Sequence, residues 1–260
     1  NNTFAQCPSN NPIVVTSNGN VGVGTLSWAV NCANTVPNLN QIQFNLPAGA
    51  LEITPTPSGS IPPINSNNIL IDARTQPVGT VVLNGIAAAN QNGFTINGNG
   101  CSIFGFHITN FISSTPNSGA GIAVSNGGDN LIQENYLTNN IDGIRLDGGG
   151  FSFTAQLNTI GEDPSVNAGP NVLAGIAVEN TFGMGTIQNN VIANNPVGVS
   201  VVGPNNILIT QNQFYCNTNE GINKILGMPT TATITSATAS EVAGTGVPGA
   251  TIEVFLFDNS

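Results

Sequence analysis

Between Asn92 and Ile225 one hydrophobic–polar phrase recurs: an Asn-rich turn, a glycine, then alternating apolar and polar residues. It reads GFTING from Gly93, GIAVSN from Gly121, GIRLDG from Gly143, GIAVEN from Gly175, GVSVVG from Gly198 and GINKI from Gly221, at spacings of 28, 22, 32, 23 and 23 residues. Alternation of period two marks a strand with one buried face, and self-similarity over such spacings marks stacked solenoid units. The pattern predicts an inward column of Phe94, Ile122, Ile144, Ile176, Val199 and Ile222, seconded by Ile96, Val124, Leu146, Val178 and Val201. The outward column is then Thr95, Ala123, Arg145, Ala177, Ser200 and Asn223.

A second phrase carries its own bend: IQENYLTNN from Ile132, IQNNVIANN from Ile187 and ITQNQFYCN from Ile209. Superposing them puts Asn135, Asn190 and Asn212 in register, where stacked amides form an Asn ladder. Asn and Gly are expected at the bends because they enter left-handed backbone angles most cheaply. No helical pattern separates the strands, which excludes βαβ units. The expected fold is all-β, a right-handed parallel β-helix over 41–228, with the hand taken from the rule for crossovers between parallel strands. Lys224 stands where earlier coils carry an inward apolar residue, so regular stacking is expected to stop there.

Upstream, IVVTS reads as a strand, and TLSWAVNCAN sets Leu26, Ala29, Val30 and Ala33 on one face of a helix. A helix laid over an open solenoid end shields apolar side chains and strand edges, so residues 1–40 are expected to form an N-terminal cap. The coils from Gln41 are irregular and broken by PTPSGSIPP. Residues 149–170 lengthen one coil to 32 residues and are expected to form a projecting loop, either a binding loop or a tolerated insertion. Beyond Pro229, TATITSATAS and GATIEVFLF read like the opening strands of an immunoglobulin-like sandwich. Because 229–260 falls short of the roughly 100 residues of such a module, the segment is expected either to belong to a longer protein or to complete a sheet elsewhere, as an assembly strand.

Composition narrows the partners. Charged residues are 6% of the chain, and three basic against thirteen acidic side chains give a net charge of −10. That balance removes the attraction that dominates nucleic-acid binding, and no stretch approaches the roughly 20 apolar residues of a membrane helix. The expected partners are copies of the chain, neighbouring modules of one polypeptide, and surface glycans, with no nucleic acid and no membrane insertion. Cys101 and Cys216 lie four anchor steps apart, about 19 Å at strand spacing, too far for one disulfide, and are expected to be separate buried thiols. Cys7 and Cys32 enclose a short N-terminal segment and are candidates for a disulfide, which would require an oxidising compartment. The alternative is four reduced, packed thiols.

The sharpest catalytic pattern is Asp147 and Glu179, each four residues past its anchor glycine and hence about 5 Å apart on one outward column, with Arg145 beside them. Two carboxylates at that separation suit glycoside hydrolysis; the plainer reading is a solvated charge cluster worth under about 1 kcal/mol. His107 in FGFHITN shares the column of Tyr136 and Val191 and reads as a structural histidine. Asp142, Asp147 and Glu179 offer oxygen ligands for calcium, yet no Asp-x-Asp run accompanies them, and no metal or cofactor is expected. One Trp and two Tyr leave no aromatic platform for stacking sugars.

The run VVTSNGNVGVGTLSWAVNCAN, with IQFNLP, IPPINSNNILIDARTQP, NTIG and NVLAGIAV, resembles the secreted right-handed parallel β-helix repeat surface proteins of Bacteroidota-type bacteria, over the first 225 residues or so. Trp28 departs from the resemblance, in that a polar residue is commoner there. The resemblance implies an extracellular, cell-surface protein exported by type IX secretion, with β-sandwich modules following, and implies no particular activity. The function expected is a non-enzymatic structural or adhesive module of a surface protein or filament. The alternative is a carbohydrate-active enzyme or glycan-binding module using Arg145, Asp147 and Glu179.

Overall fold

The computed structural model describes residues 6–148, 152–163, 169–179, 184–203, 206–225, 233–237 and 242–245. The described strands of the repeat region pair in parallel, in three long sheets. The first sheet holds Ile13–Val15, Gln41–Phe44, Leu70–Asp72, Ser102–Phe104, Asn130–Gln133, Ser152–Gln156, Met184–Gln188 and Asn206–Thr210. The second holds Glu52–Ile53, Val81–Asn84, Phe106–Thr109, Tyr136–Thr138, Thr159–Ile160, Val191–Ala193 and Gln213–Tyr215. The third holds Phe94–Ile96, Ala120–Val124, Asp142–Leu146, Ala174–Val178, Val197–Val202 and Glu220–Ile225. The chain visits the sheets in turn, so each strand pairs with one a full circuit away: a parallel β-helix.

The inward column of the recurring phrase stacks residue on residue. Phe94 lies opposite Ile122, Ile122 opposite Ile144, then Ile176, Val199 and Ile222. The first five are at most 1% exposed, and Ile222, in the last strand of the sheet, is partly buried. Lys224 pairs with Val201 in the second inward column, in that same last strand, where the described part of the sheet ends. Each buried aliphatic side chain contributes roughly 1.5–3 kcal/mol, and the circuit repeats that contribution along the axis.

Helix α1, Leu26–Thr35, buries Leu26, Ala29, Val30, Cys32 and Ala33 and packs on the first two strands of the first sheet. Thr25 caps its N-terminus, its hydroxyl accepting from the Trp28 amide at 3.3 Å. Cys7 and Cys32 form a disulfide with Cα atoms 5.6 Å apart, tying the preceding segment to the helix. Of the other cysteines, Cys101 is buried but Cys216 is exposed, which corrects the expectation of two buried thiols. Cys216 sits at a bend with φ 52°, where the backbone turns the side chain out of the stack.

The 149–170 stretch is also corrected. Ser152–Gln156 and Thr159–Ile160 are regular strands of the first and second sheets. The extra length follows Ile160, where Gly169 donates to the Gly161 carbonyl at 3.1 Å and closes the base of the excursion; residues 149–151 and 164–168 lie outside the described residues. Within 229–260, Thr233–Ala237 and Val242–Thr245 pair as an antiparallel hairpin. The remaining part of the expected sandwich segment or assembly strand falls outside the described residues.

Candidate functional site

Arg145 projects from the outer face of the third sheet, at the register position of Ala123 and Ala177. Those small neighbours leave a slot one strand wide on either side, and the guanidinium lies in it only 2% exposed. Its Nη1 is 3.5 Å from Asp142 Oδ2, and its Nε is 3.3 Å from Asp147 Oδ2. Nη2 donates to Asn92 Oδ1 at 3.1 Å and Nη1 to the Ser118 carbonyl at 3.4 Å. Asp142 is itself 3% exposed, and burial pushes its carboxyl up to about 6, against the pull of Arg145 and with a further push from Glu179. Asp147 is half-buried, and its backbone N–H donates to Val124 O; Glu179 follows one coil on, donating to Leu146 O.

The expected solvated cluster is therefore buried at Arg145, with Asp147 and Glu179 half-buried at its edge. Alternation along a strand tells which side a residue faces, and here the outward side is not the wet side. The same geometry changes the chemistry open to the site. A guanidinium whose hydrogen bonds already run to two carboxylates, an amide and a carbonyl has little left for neutralising a substrate carboxylate. It also occupies the space among Asp142 and Asp147 where a cation would need their oxygens, and the described residues contain no group of three or more His, Cys, Asp or Glu side chains arranged to hold a metal.

His107 lies on the outer face of the second sheet opposite Tyr136, in a row continued by Thr159 and Val191. Its Nε2 is 2.9 Å from Thr138 Oγ1 and 3.6 Å from Asp163 Oδ2. Thr138 in turn donates to Thr109 Oγ1 at 3.1 Å. Burial holds the imidazole below its usual pKa, with Asp163 opposing. Glu162 hydrogen-bonds the Tyr215 hydroxyl, and burial first, then Glu162, pushes that phenol up to about 12. The carboxylates at the start of the long excursion thus reach Phe106–Thr109 on one side and Gln213–Tyr215 on the other, pinning it to the sheet.

Asn135, Asn190 and Asn212 occupy one column, together with Asn158, which sequence reasoning passed over. After Asn135, each Oδ1 accepts from the backbone N–H and the side-chain Nδ2 of the asparagine one coil before: Asn158 from Asn135 at 3.0 and 3.1 Å, Asn190 from Asn158, Asn212 from Asn190. In a second column at the next corner, Asn171 Oδ1 accepts from the Asn140 backbone N–H, Asn195 Oδ1 from the backbone N–H and Nδ2 of Asn171, and Asn217 Oδ1 from those of Asn195. The Asn-Asn doublets at 139–140 and 194–195 were its signal in the sequence.

Comparison with known proteins finds no matching family model, no matching curated protein and no matching solved structure. No helix among the described residues is long and apolar enough to cross a membrane.

Proposed function

We propose that the chain is a non-enzymatic structural or adhesive module of a long extracellular surface protein or filament, of the kind made by the secreted β-helix repeat proteins it resembles in Bacteroidota-type bacteria, exported by type IX secretion. The observation that carries this reading is the state of Arg145. The basic group best placed for chemistry is sequestered by Asp142, Asp147, Asn92 and Ser118. Two internal amide ladders support it as well, because buried and mutually satisfied hydrogen bonds stiffen a rod along its axis. The Cys7–Cys32 disulfide suits an oxidising, extracellular setting. In this reading α1 and its disulfide close the N-terminal end, and neighbouring modules or further copies continue the assembly.

One observation favours a carbohydrate-active enzyme as the second reading: the Asp142 carboxyl, at about 6, is in the range of a general acid and has Asp147 beside its Arg145 partner. Incubation with neutral and acidic polysaccharides separates the two. The module reading expects no release of reducing ends or unsaturated products. Turnover that disappears in Asp147→Asn would replace it with the enzyme.

A further inference from the structure

The outer face of the first sheet carries a third amide column, distinct from the buried ladders and from Arg145. Gln133, Gln156 and Gln188 are in register on successive strands. Gln156 Nε2 donates to Gln133 Oε1 at 2.6 Å and Gln188 Nε2 to Gln156 Oε1 at 2.8 Å; Gln133 donates onward to Glu134. A primary amide has two N–H donors and two lone pairs. The ladder fixes each amide's orientation while using one donor, so donor and acceptor capacity faces outward at every strand, about 4.8 Å apart. In the neighbouring column of the same face, Thr154 and Thr186 are paired in register, and neither hydroxyl makes a hydrogen bond among the described residues. Leu131 and Leu208 flank them, half-buried and exposed.

The result is a flat surface of preoriented amides and free hydroxyls interrupted by aliphatic side chains. Its charged groups lie at the edges: at one, Arg74 pairs with Asp72 and Glu134 and lies 4.3 Å over the Phe104 ring, and at the other Asp129 accepts from Ser152 Oγ at 2.9 Å. We infer that this face binds an extended, neutral, β-linked polysaccharide lying along the solenoid axis. Hydroxyls of successive sugars meet the amides and threonines, and the C–H faces of the rings meet the aliphatic positions. The strand repeat is of the same order as the length of one pyranose along such a chain. Fixed amides lower the ordering cost of binding. A polyuronate meets a chain of net charge −10 and is repelled; a neutral glycan is not. The inference rests on the adhesive reading and gives it a ligand class.

The test is depletion of the full chain from solution by microcrystalline cellulose and by chitin, with pectate as the acidic control. The expected result is retention on at least one neutral β-glycan, unchanged between low and high salt because no counterions are exchanged, and absent on pectate. Gln156→Ala with Gln188→Ala is expected to weaken retention about tenfold, the effect of one or two lost hydrogen bonds. Thr186→Arg, an outward change that spares the amides, is expected to do the same by obstructing the face; Asp147→Asn is expected to leave retention intact. Retention on neither glycan, retention indifferent to both face variants, or loss with Asp147→Asn overturns the inference. Growth in particle size by light scattering that Thr186→Arg abolishes would assign the face to a second copy and overturn it too. None of these outcomes depends on turnover, so the module reading stands or falls separately.

Discussion

The two ends of the solenoid solve the same corner problem with different chemistry. In the later coils the bend between the first and second sheets is filled by Asn135, Asn158, Asn190 and Asn212, and the next corner by Asn140, Asn171, Asn195 and Asn217. One coil earlier, the same two positions are Phe106 and Phe111, both at most 1% exposed. Their backbone N–H groups still donate to the first amide of each ladder, at 3.1 Å to Asn135 and 3.0 Å to Asn140. Phe106 packs edge-on against Phe44 and Phe94 at centroid distances of 5.3 and 5.2 Å. Earlier still, Gln76 serves the corner from outside the column, accepting from Leu46 N at 2.8 Å and donating to Leu46 O at 3.1 Å. Aromatic volume fills the wider, irregular coils, and a polar ladder suits coils that repeat closely enough for amides to touch.

Breaking the aromatic end has the largest expected effect. Phe106→Ala removes a fully buried ring with two aromatic neighbours and is expected to cost about 4 kcal/mol, in the range for large cavities, read as a lowered urea midpoint at unchanged slope. Phe106→Asn sharpens the comparison. It loses the same packing but offers Asn135 a partner in the column, so it is expected to retain more stability than the alanine variant. Equal losses in the two variants would show that the ladder cannot be extended into the wide coils.

Breaking the polar end comes next. Asn158 accepts from Asn135 and donates to Ile132 O at 2.9 Å and Asn190 Oδ1 at 3.0 Å. Asn158→Ala strands a buried N–H and a buried carbonyl, for an expected loss of about 3 kcal/mol. Asn212→Ala, 7% exposed and last in its column, is expected to cost about 1 kcal/mol, since water reaches the orphaned groups. Equal losses at the two positions would mean that the ladder acts through each local bend and not along its length.

The inward columns were legible in the sequence because burial on one side of a strand enforces strict alternation, and each predicted pair from Phe94–Ile122 to Val199–Ile222 is in register. The bends were legible only in part. Left-handed angles occur at Asn139, Asn189 and Asn194 as expected, but also at Glu134, Leu157, Gln211 and Cys216, with φ between 52° and 57°. The residue before a ladder asparagine is held by the amide that follows, so position outweighs residue preference there. Asn158 was hidden because its coil is long and its phrase, AQLNTIG, lacks the Ile-Gln or Ile-Thr-Gln lead that brings the other three into register. The surroundings of Arg145 were not legible, because alternation assigns a side and carries nothing about what lies over it.

The charged cluster supplies a pH-dependent effect and a contrast with both ladders, since among the buried polar groups of the described residues it carries a carboxyl that titrates at a mildly acidic pH. Asp142 has a folded pKa raised by burial to about 6 from an ordinary value of 3.8. A carboxyl with a raised pKa binds its proton more tightly in the folded state, so the penalty of keeping it ionised is present at neutral pH. That penalty is relieved as pH falls through about 6 toward the unfolded value, and the expected size is on the order of 2 kcal/mol. Asp142→Asn keeps the shape and removes the titration, leaving Arg145 paired with Asp147. The stability difference between the native chain and this variant should therefore shift in favour of the native chain between about pH 7.5 and about pH 4.5. Acids remote from Asp142, including the exposed Glu134 that Gln133 and Arg74 hold below its usual pKa, titrate alike in both proteins and cancel. A difference that stays flat with pH would mean that Arg145 keeps Asp142 ionised throughout, and that the cluster is as inert to protons as the amide columns.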